Sequence, residues 1–344
     1  MAPLPLLGVC FPREFPPSLV IEFAERLESG GADQLWVIED CFYTAGISLA
    51  ATALARTGRL TVGIGIMPAV ARNAAITAME LGTLARLASG RVIAGIGHGV
   101  QEWMEQIGAR PASPVTTLTE VITAVRRLLA GDTVSVEGRA VTLRDVRLDQ
   151  PPEPVPPVLA GVRGPKSLAA AGRCADGIVL AELTGPIAVR QAIAQAAPPG
   201  PFDVAVYTSF TIADDRREAR RSFAEFVVEI IENGGTVGLR ATPFYDDLVA
   251  MVERDGAEGV ADAPDDWWIE LGAVGTPDDA AAHVDALAAA CDRAGLVAFL
   301  AVIQAAQQAA EVSHRTIRAH HRRDVLAELL VEPTALPRKG EPPA

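Results

Sequence analysis

The sequence predicts an α/β fold, a (β/α)8 TIM barrel with insertions, on three observations. Short apolar runs alternate with amphipathic helical stretches, eight such runs occur, and the chain of 344 residues has the length of one such barrel with additions. Runs that are continuously apolar mark strands buried on both faces, as in a parallel sheet. The predicted organisation is one domain over residues 1–332, with a hairpin insertion near 133–148, a lid-like insertion near 234–275, and a polar tail at 333–344.

Leu4 to Phe11 is the first expected strand, and Pro16 and Pro17 open a helix with Leu19, Val20, Phe23 and Leu27 on one face, ended by Gly30 and Gly31. Gln34 to Ile38 is the second, stopping at Glu39 and Asp40, and a helix from Gly46 to Thr57 follows. Leu60 to Met67 and Val92 to Ile96 enclose a helix from Asn73 that carries Ile76, Leu81, Leu84 and Leu87, which makes one βαβ unit. After a connection holding Trp103, Thr117-Leu118-Thr119-Glu120 reads as a capping box, and Gly131 closes its helix. Thr133 to Leu148 alternates polar and apolar residues about a Glu137-Gly138 turn, the pattern of an exposed hairpin.

Val158 to Ala160 is the fifth barrel strand, Gly177 to Ala181 the sixth with a helix entered through Thr184 and Pro186, and Val204 to Ile212 the seventh. Asp215-x-x-Glu218 opens a long helix, and the irregular stretch 234–275 includes a helix near Asp247 to Arg254. Long insertions on a regular scaffold commonly carry lids or substrate loops. Trp267 and Trp268 either floor a substrate pocket or, as such aromatics more often do, anchor the insertion. Thr276-Pro277-Asp278-Asp279 opens the next helix, Leu296 to Ile303 is the eighth strand, and helices are expected from about Gln304 and Val325.

The formal charge of −13 and the lack of a basic run beyond Arg322 and Arg323 argue against nucleic acid and anionic membranes as partners. Cys10, Cys41, Cys174 and Cys291 have no CxxC spacing and read as buried reduced thiols, which with the lack of a basic leader or an apolar span of about 18 residues points to the cytoplasm. A site in a barrel is expected at the carboxyl ends of its strands. There stand Gly63 and Gly65, and Gly95, Gly97 and Gly99, whose spacing departs from the dinucleotide fingerprint.

His98, between two of these glycines, is the histidine expected to touch a ligand. His283, His314, His320 and His321 read as solvated, and no metal-ligand spacing exists. Gly164-Pro165-Lys166-Ser167, with Arg163, is either an anion site at a helix N-terminus or an ordinary helix start. Glu39 and Asp40 are either ligand contacts or partners of a neighbouring arginine.

Together these stretches resemble the bacterial luciferase-like superfamily, in its coenzyme F420-dependent branch that includes methylenetetrahydromethanopterin reductase. The matching pieces are Leu35 to Asp40, Val62 to Arg72, Leu84 to Gly99, the Glu120 helix ending in Leu128-Leu129-Ala130-Gly131, and Gly164 to Ser167 followed by Ala175-Asp176-Gly177. The resemblance implies a barrel holding a flavin or deazaflavin at its carboxyl face. By position, Gly65-Ile66 looks like the family's non-prolyl cis peptide behind the cofactor's central ring, and Gly161, Val162, Arg163, Gly164, Pro165 and Lys166 resemble its phosphate loop.

Glu39, Met67, Gly97 and His98 complete the implied cofactor contacts. Two departures stand out: Glu39-Asp40 replaces the family's Asp-His, and Val100 occupies the place of an acid, with Gln101 and Glu102 just beyond. Asp40, His98 and Glu102 are therefore the candidate proton-handling residues. The implied activity is hydride transfer between coenzyme F420 and a small organic substrate, and a homodimer is the expected assembly. The alternatives are an FMN-dependent monooxygenase and a non-catalytic flavin-binding barrel.

Overall fold

The structure, a computed structural model, describes residues 6–181, 183–292 and 298–305. Its strands are β1 (Leu6–Phe11), β2 (Gln34–Val37), β3 (Thr61–Pro68), β4 (Val92–Gly97), β5 (Val134–Glu137), β6 (Thr142–Val146), β7 (Val158–Gly161), β8 (Gly177–Leu180), β9 (Asp203–Ile212), β10 (Ala273–Gly275) and β11 (Ala298–Ala305). Eight of them, β1-β2-β3-β4-β7-β8-β9-β11, pair in parallel, and the ring closes through β8 with β9 and β11 with β1. β10 adds a short parallel edge to the last residues of β9, from Ala273 opposite Phe210 to Gly275 opposite Ile212. The predicted barrel is therefore present.

The helices are α1 (Val20–Ser29), α2 (Gly46–Arg56), α3 (Ala74–Leu87), α4 (Gln101–Gln106), α5 (Pro114–Leu129), α6 (Pro165–Cys174), α7 (Pro186–Ala196), α8 (Arg216–Glu232), α9 (Tyr245–Ala261), α10 (Asp265–Leu271) and α11 (Pro277–Asp292). Their starts follow local chemistry. Asn73 Oδ1 accepts the Ala75 N–H at 2.9 Å and Asp215 Oδ1 the Glu218 N–H at 2.8 Å, each satisfying a first-turn donor that has no partner inside the helix.

α5 begins one turn earlier than its expected capping box, because Pro114 occupies the first helical position, where its missing N–H is harmless. Thr117 and Glu120 thus lie inside the helix. Glu120 instead accepts the N–H groups of Arg139, Ala140 and Val141 in the β5–β6 hairpin, at 3.0, 2.8 and 3.0 Å. Partial burial pushes its carboxyl pKa up, but these three donors prevail and hold it below its ordinary value.

Three apolar clusters divide the molecule. The largest joins the outward faces of the strands to the helix ring, with Leu35, Val62, Ile64, Leu81, Val125 and Val204 fully withdrawn from water. Each such side chain contributes about 1.5 to 3 kcal/mol by leaving solvent. A small cluster fills the barrel interior with Cys10, Trp36, Leu159, Val179, Ala205 and Tyr207.

The third cluster belongs to the insertion. All the buried apolar residues of α8 (Ala219, Phe223, Ala224, Val227, Ile231) pack there with α9 and α10, so α8 joins this extra layer and α11 serves as the barrel-wall helix before β11. Trp268 is buried in that cluster under the Arg220 guanidinium, and Trp267 stacks on Phe244 at 4.6 Å, so both tryptophans anchor the layer. β11 runs on through Gln304 to Ala305. The final helices, His314, His320, His321 and the tail lie outside the described residues.

His283 corrects an expectation. It is 1% exposed, with Nδ1 donating to the Ile269 carbonyl at 2.8 Å and Nε2 accepting from Thr208 Oγ1 at 2.7 Å. Burial lowers its pKa to about 4, so this ring is neutral. Among the described residues no helix is long and apolar enough to cross a membrane.

Candidate cofactor site at the barrel mouth

The glycines of β3 and β4 let bulky groups meet inside a narrow ring. A Cβ built on Gly65 would lie 2.1 Å from the Tyr207 Oη and 2.9 Å from Trp36, so Gly65 gives these two rings their place. Trp36 and Tyr207 meet edge to face at 5.7 Å, and the Tyr207 hydroxyl donates to the Gly65 carbonyl at 3.4 Å. The Gly65–Ile66 peptide is cis, and the β3–β4 register shifts between Ile64 and Met67 at that point.

The bulge turns the Ile66 side chain over three glycines of the neighbouring strands. A Cβ on Gly95, Gly97 or Gly161 would come within 3.0, 2.7 or 2.7 Å of it. From Val62 to Ala69 only Gly65 and Ile66 are partly exposed. Solvent reaches β3 at this dipeptide.

The structure thus brings Gly65, Ile66, Gly97 and Gly161 into one patch at the mouth. Met67 (1% exposed) and Val162 (3%) turn their side chains into the outer core, leaving only backbone for a ligand. β7 then leads to Gly164 and the first turn of α6. No side chain caps that helix, and a Cβ on Gly164 would meet open space. Arg163, Pro165 and Lys166 are exposed around it.

His98 follows β4 and reaches the same helix. Its Nε2 lies 2.9 Å from the hydroxyl of buried Ser167, while Nδ1 is buried with no hydrogen-bond partner. Burial lowers its pKa, with the Pro114 backbone opposing more weakly.

Glu39 and Asp40 are each held by an arginine. Arg72 grips Glu39 through both ends of its guanidinium, at 2.5 and 2.8 Å, and Glu39 also accepts the Gly46 N–H that starts α2. Arg13, beyond β1, donates to Asp40 at 2.5 Å and lies over the Tyr43 ring. Glu102 is exposed on α4, where a plain connection was expected.

Sequence reading missed Tyr207 and Arg13, and named Ser167 only as part of the α6 loop, not as the partner of His98. For Tyr207 the signal was present. In Asp203–Ile212 the residues at 205, 207, 209 and 211 share one face, and Thr208, Phe210 and Ile212 face the outer helices.

A family model described as luciferase-like monooxygenase matches residues 8–294. The chain belongs to this luciferase-like family. It is 31% identical over 297 residues to a 5,10-methylenetetrahydromethanopterin reductase of Methanolobus tindarius, a match covering 81% of this chain and 90% of that one. It is 34% identical over 185 residues to an F420-dependent glucose-6-phosphate dehydrogenase of Intrasporangium calvum, covering 48% of this luciferase-like chain and 54% of the relative. Among solved structures, a coenzyme F420-dependent tetrahydromethanopterin reductase from Methanopyrus kandleri superposes with a TM-score of 0.67 at 20% identity. That match covers 95% of this chain and 97% of the reductase.

Proposed function

We propose that this luciferase-like barrel is an F420-dependent oxidoreductase that transfers a hydride between the deazaflavin and a small organic substrate. The observation that carries the reading is the partly exposed Gly65–Ile66 dipeptide, flanked on both sides by buried residues of β3, in a chain similar along most of its length to a methylenetetrahydromethanopterin reductase. The residues present fit the cofactor. The uncapped first turn of α6, with open space at Gly164 and Arg163 and Lys166 beside it, suits a phosphate, because free amides and the helix dipole both favour an anion.

In this reading Gly65, Ile66, Met67 and Gly97 back the ring, and Glu39 supports that wall through Arg72. Gly161, Val162, Arg163, Gly164, Pro165 and Lys166 hold the phosphorylated arm. The deazaflavin supplies the hydride-carrying carbon, and the protein supplies distance, face and exclusion of water. His98, neutral near pH 7, is the ring that handles the proton, Asp40 orders the rim through Arg13, and Glu102 is the exposed acid beyond it on α4.

We take the working form to be a cytoplasmic homodimer. The cysteine spacing supports the compartment, and exposed Ile76, Met79 and Leu87 along α3 support the pairing.

The second reading, an FMN-dependent monooxygenase, is favoured by the description of the matching family. Titrating the purified protein with coenzyme F420 and with FMN, followed by absorbance, separates the two. F420 is expected to bind and to be reduced or oxidised with substrate. Tight binding of FMN alone, with oxygen consumed on reduction, would replace this proposal with the second.

A further inference from the structure

β9 stands fourth from β3 in either direction around the closed ring, so its inward face looks across the barrel at Gly65–Ile66. That dipeptide has no opposite residue in either neighbouring strand: β2 pairs with β3 as far as Ile64, and β4 pairs again from Met67. A peptide carbonyl outside the ladders takes its hydrogen bond from elsewhere. For Gly65 a donor is the Tyr207 hydroxyl, which crosses the barrel interior to reach it at 3.4 Å.

The phenol is itself held in place. Trp36 meets it edge to face at 5.7 Å, and the Trp36 indole is fixed in turn by donating its Nε1–H to Gln34 Oε1 at 2.9 Å. All three side chains are buried. A Cβ on Gly63 would lie 2.5 Å from Trp36, as one on Gly65 would lie 2.1 Å from the Tyr207 Oη. The β3 backbone at these two glycines therefore rests directly on the two rings. An interior at crystal-like density leaves such rings no second arrangement. Ile66 is held separately, over the glycines of β4 and β7, so the wall fixes its lateral position while the opposite strand fixes the depth of Gly65.

We infer that Tyr207 is a positioning residue for the cofactor ring: acting through Gly65 from the opposite wall, its hydroxyl sets how far the Gly65–Ile66 peptide projects into the mouth. This inference rests on the F420-dependent reading above. Hydride transfer weakens steeply as the reacting atoms move apart, so the depth of the seat governs the reaction without Tyr207 touching the ring. A tyrosine that only filled the interior would act on stability alone.

The test titrates the full chain with oxidised coenzyme F420, reading binding by fluorescence and the seat of the ring by the visible circular dichroism that the protein induces in the bound cofactor. Tyr207→Phe keeps the ring and removes the hydroxyl. It is expected to weaken F420 about fivefold, the scale of one neutral hydrogen bond, and to change the induced band. Val179→Ala, which trims the same interior cluster, should lower Tm while affinity and band stay as in the wild type. Gly65→Ala should weaken F420 by itself, and adding Tyr207→Phe should then cost clearly less than it does alone, because both changes act on one peptide.

Unchanged affinity or an unchanged band in Tyr207→Phe, the same band change in Val179→Ala, or losses that simply multiply in the double variant would each overturn the inference. Failure of the wild type to bind F420 would be seen first in the same titration, before any variant is compared. It would remove the functional reading itself.

Discussion

Glu39 shows how a residue's position can be legible while its partner is not. Its place at the carboxyl end of a buried strand suggested contact with a ligand, yet Arg72, 33 residues away in sequence, takes both carboxylate oxygens. Removing one partner of a buried pair costs about 3 to 5 kcal/mol. Here Arg72 keeps Glu80 and is partly exposed, so Glu39→Gln is expected to lose about 2 to 3 kcal/mol in urea unfolding, with F420 affinity little changed. Loss of affinity at unchanged stability would return Glu39 to direct cofactor contact. Gly65 teaches the complementary lesson: its glycine could be read as a permissive backbone, but the rings that demand it, Trp36 and Tyr207, come from other strands.

At the scale of elements, the eight barrel strands were legible because most of them are short, continuous apolar runs bounded by glycine, proline or acids, whereas the three-residue β10 was not. Boundaries were less so. α5 began at Pro114 because proline is tolerated only in a first turn, and the apparent capping box was left with an acid free to serve another element. That acid ties the β5–β6 hairpin to the barrel wall. Glu120→Ala should therefore speed amide hydrogen exchange at Arg139, Ala140 and Val141 while the barrel strands keep their protection, at a cost of about 1 kcal/mol. Uniform loss of protection across the barrel would contradict this local role.

Across the whole molecule, the barrel followed from the count and spacing of apolar runs, whereas the extra layer did not, because its partners lie tens of residues apart. His283 is the clearest instance. Its sequence neighbours include Asp285 and suggest solvent, but the fold places it between Thr208 of β9 and Ile269 of α10. Its folded-state pKa of about 4 lies below the ordinary value of 6.5, so the unfolded chain binds the proton more readily. Stability is then complete above pH 6.5 and falls as pH drops toward 4, by about 3 kcal/mol over that window. Thermal unfolding measured from pH 8 to pH 4 should show this loss, and His283→Gln should flatten that part of the profile from a lower starting Tm.

The helices α8, α9 and α10 meet around an apolar centre of their own, apart from the one that holds the barrel together. Such an accessory cassette can diverge, or be exchanged by recombination between sister genes, at little expense to the framework beneath it. In such a build the annex can be renovated while the foundations stand.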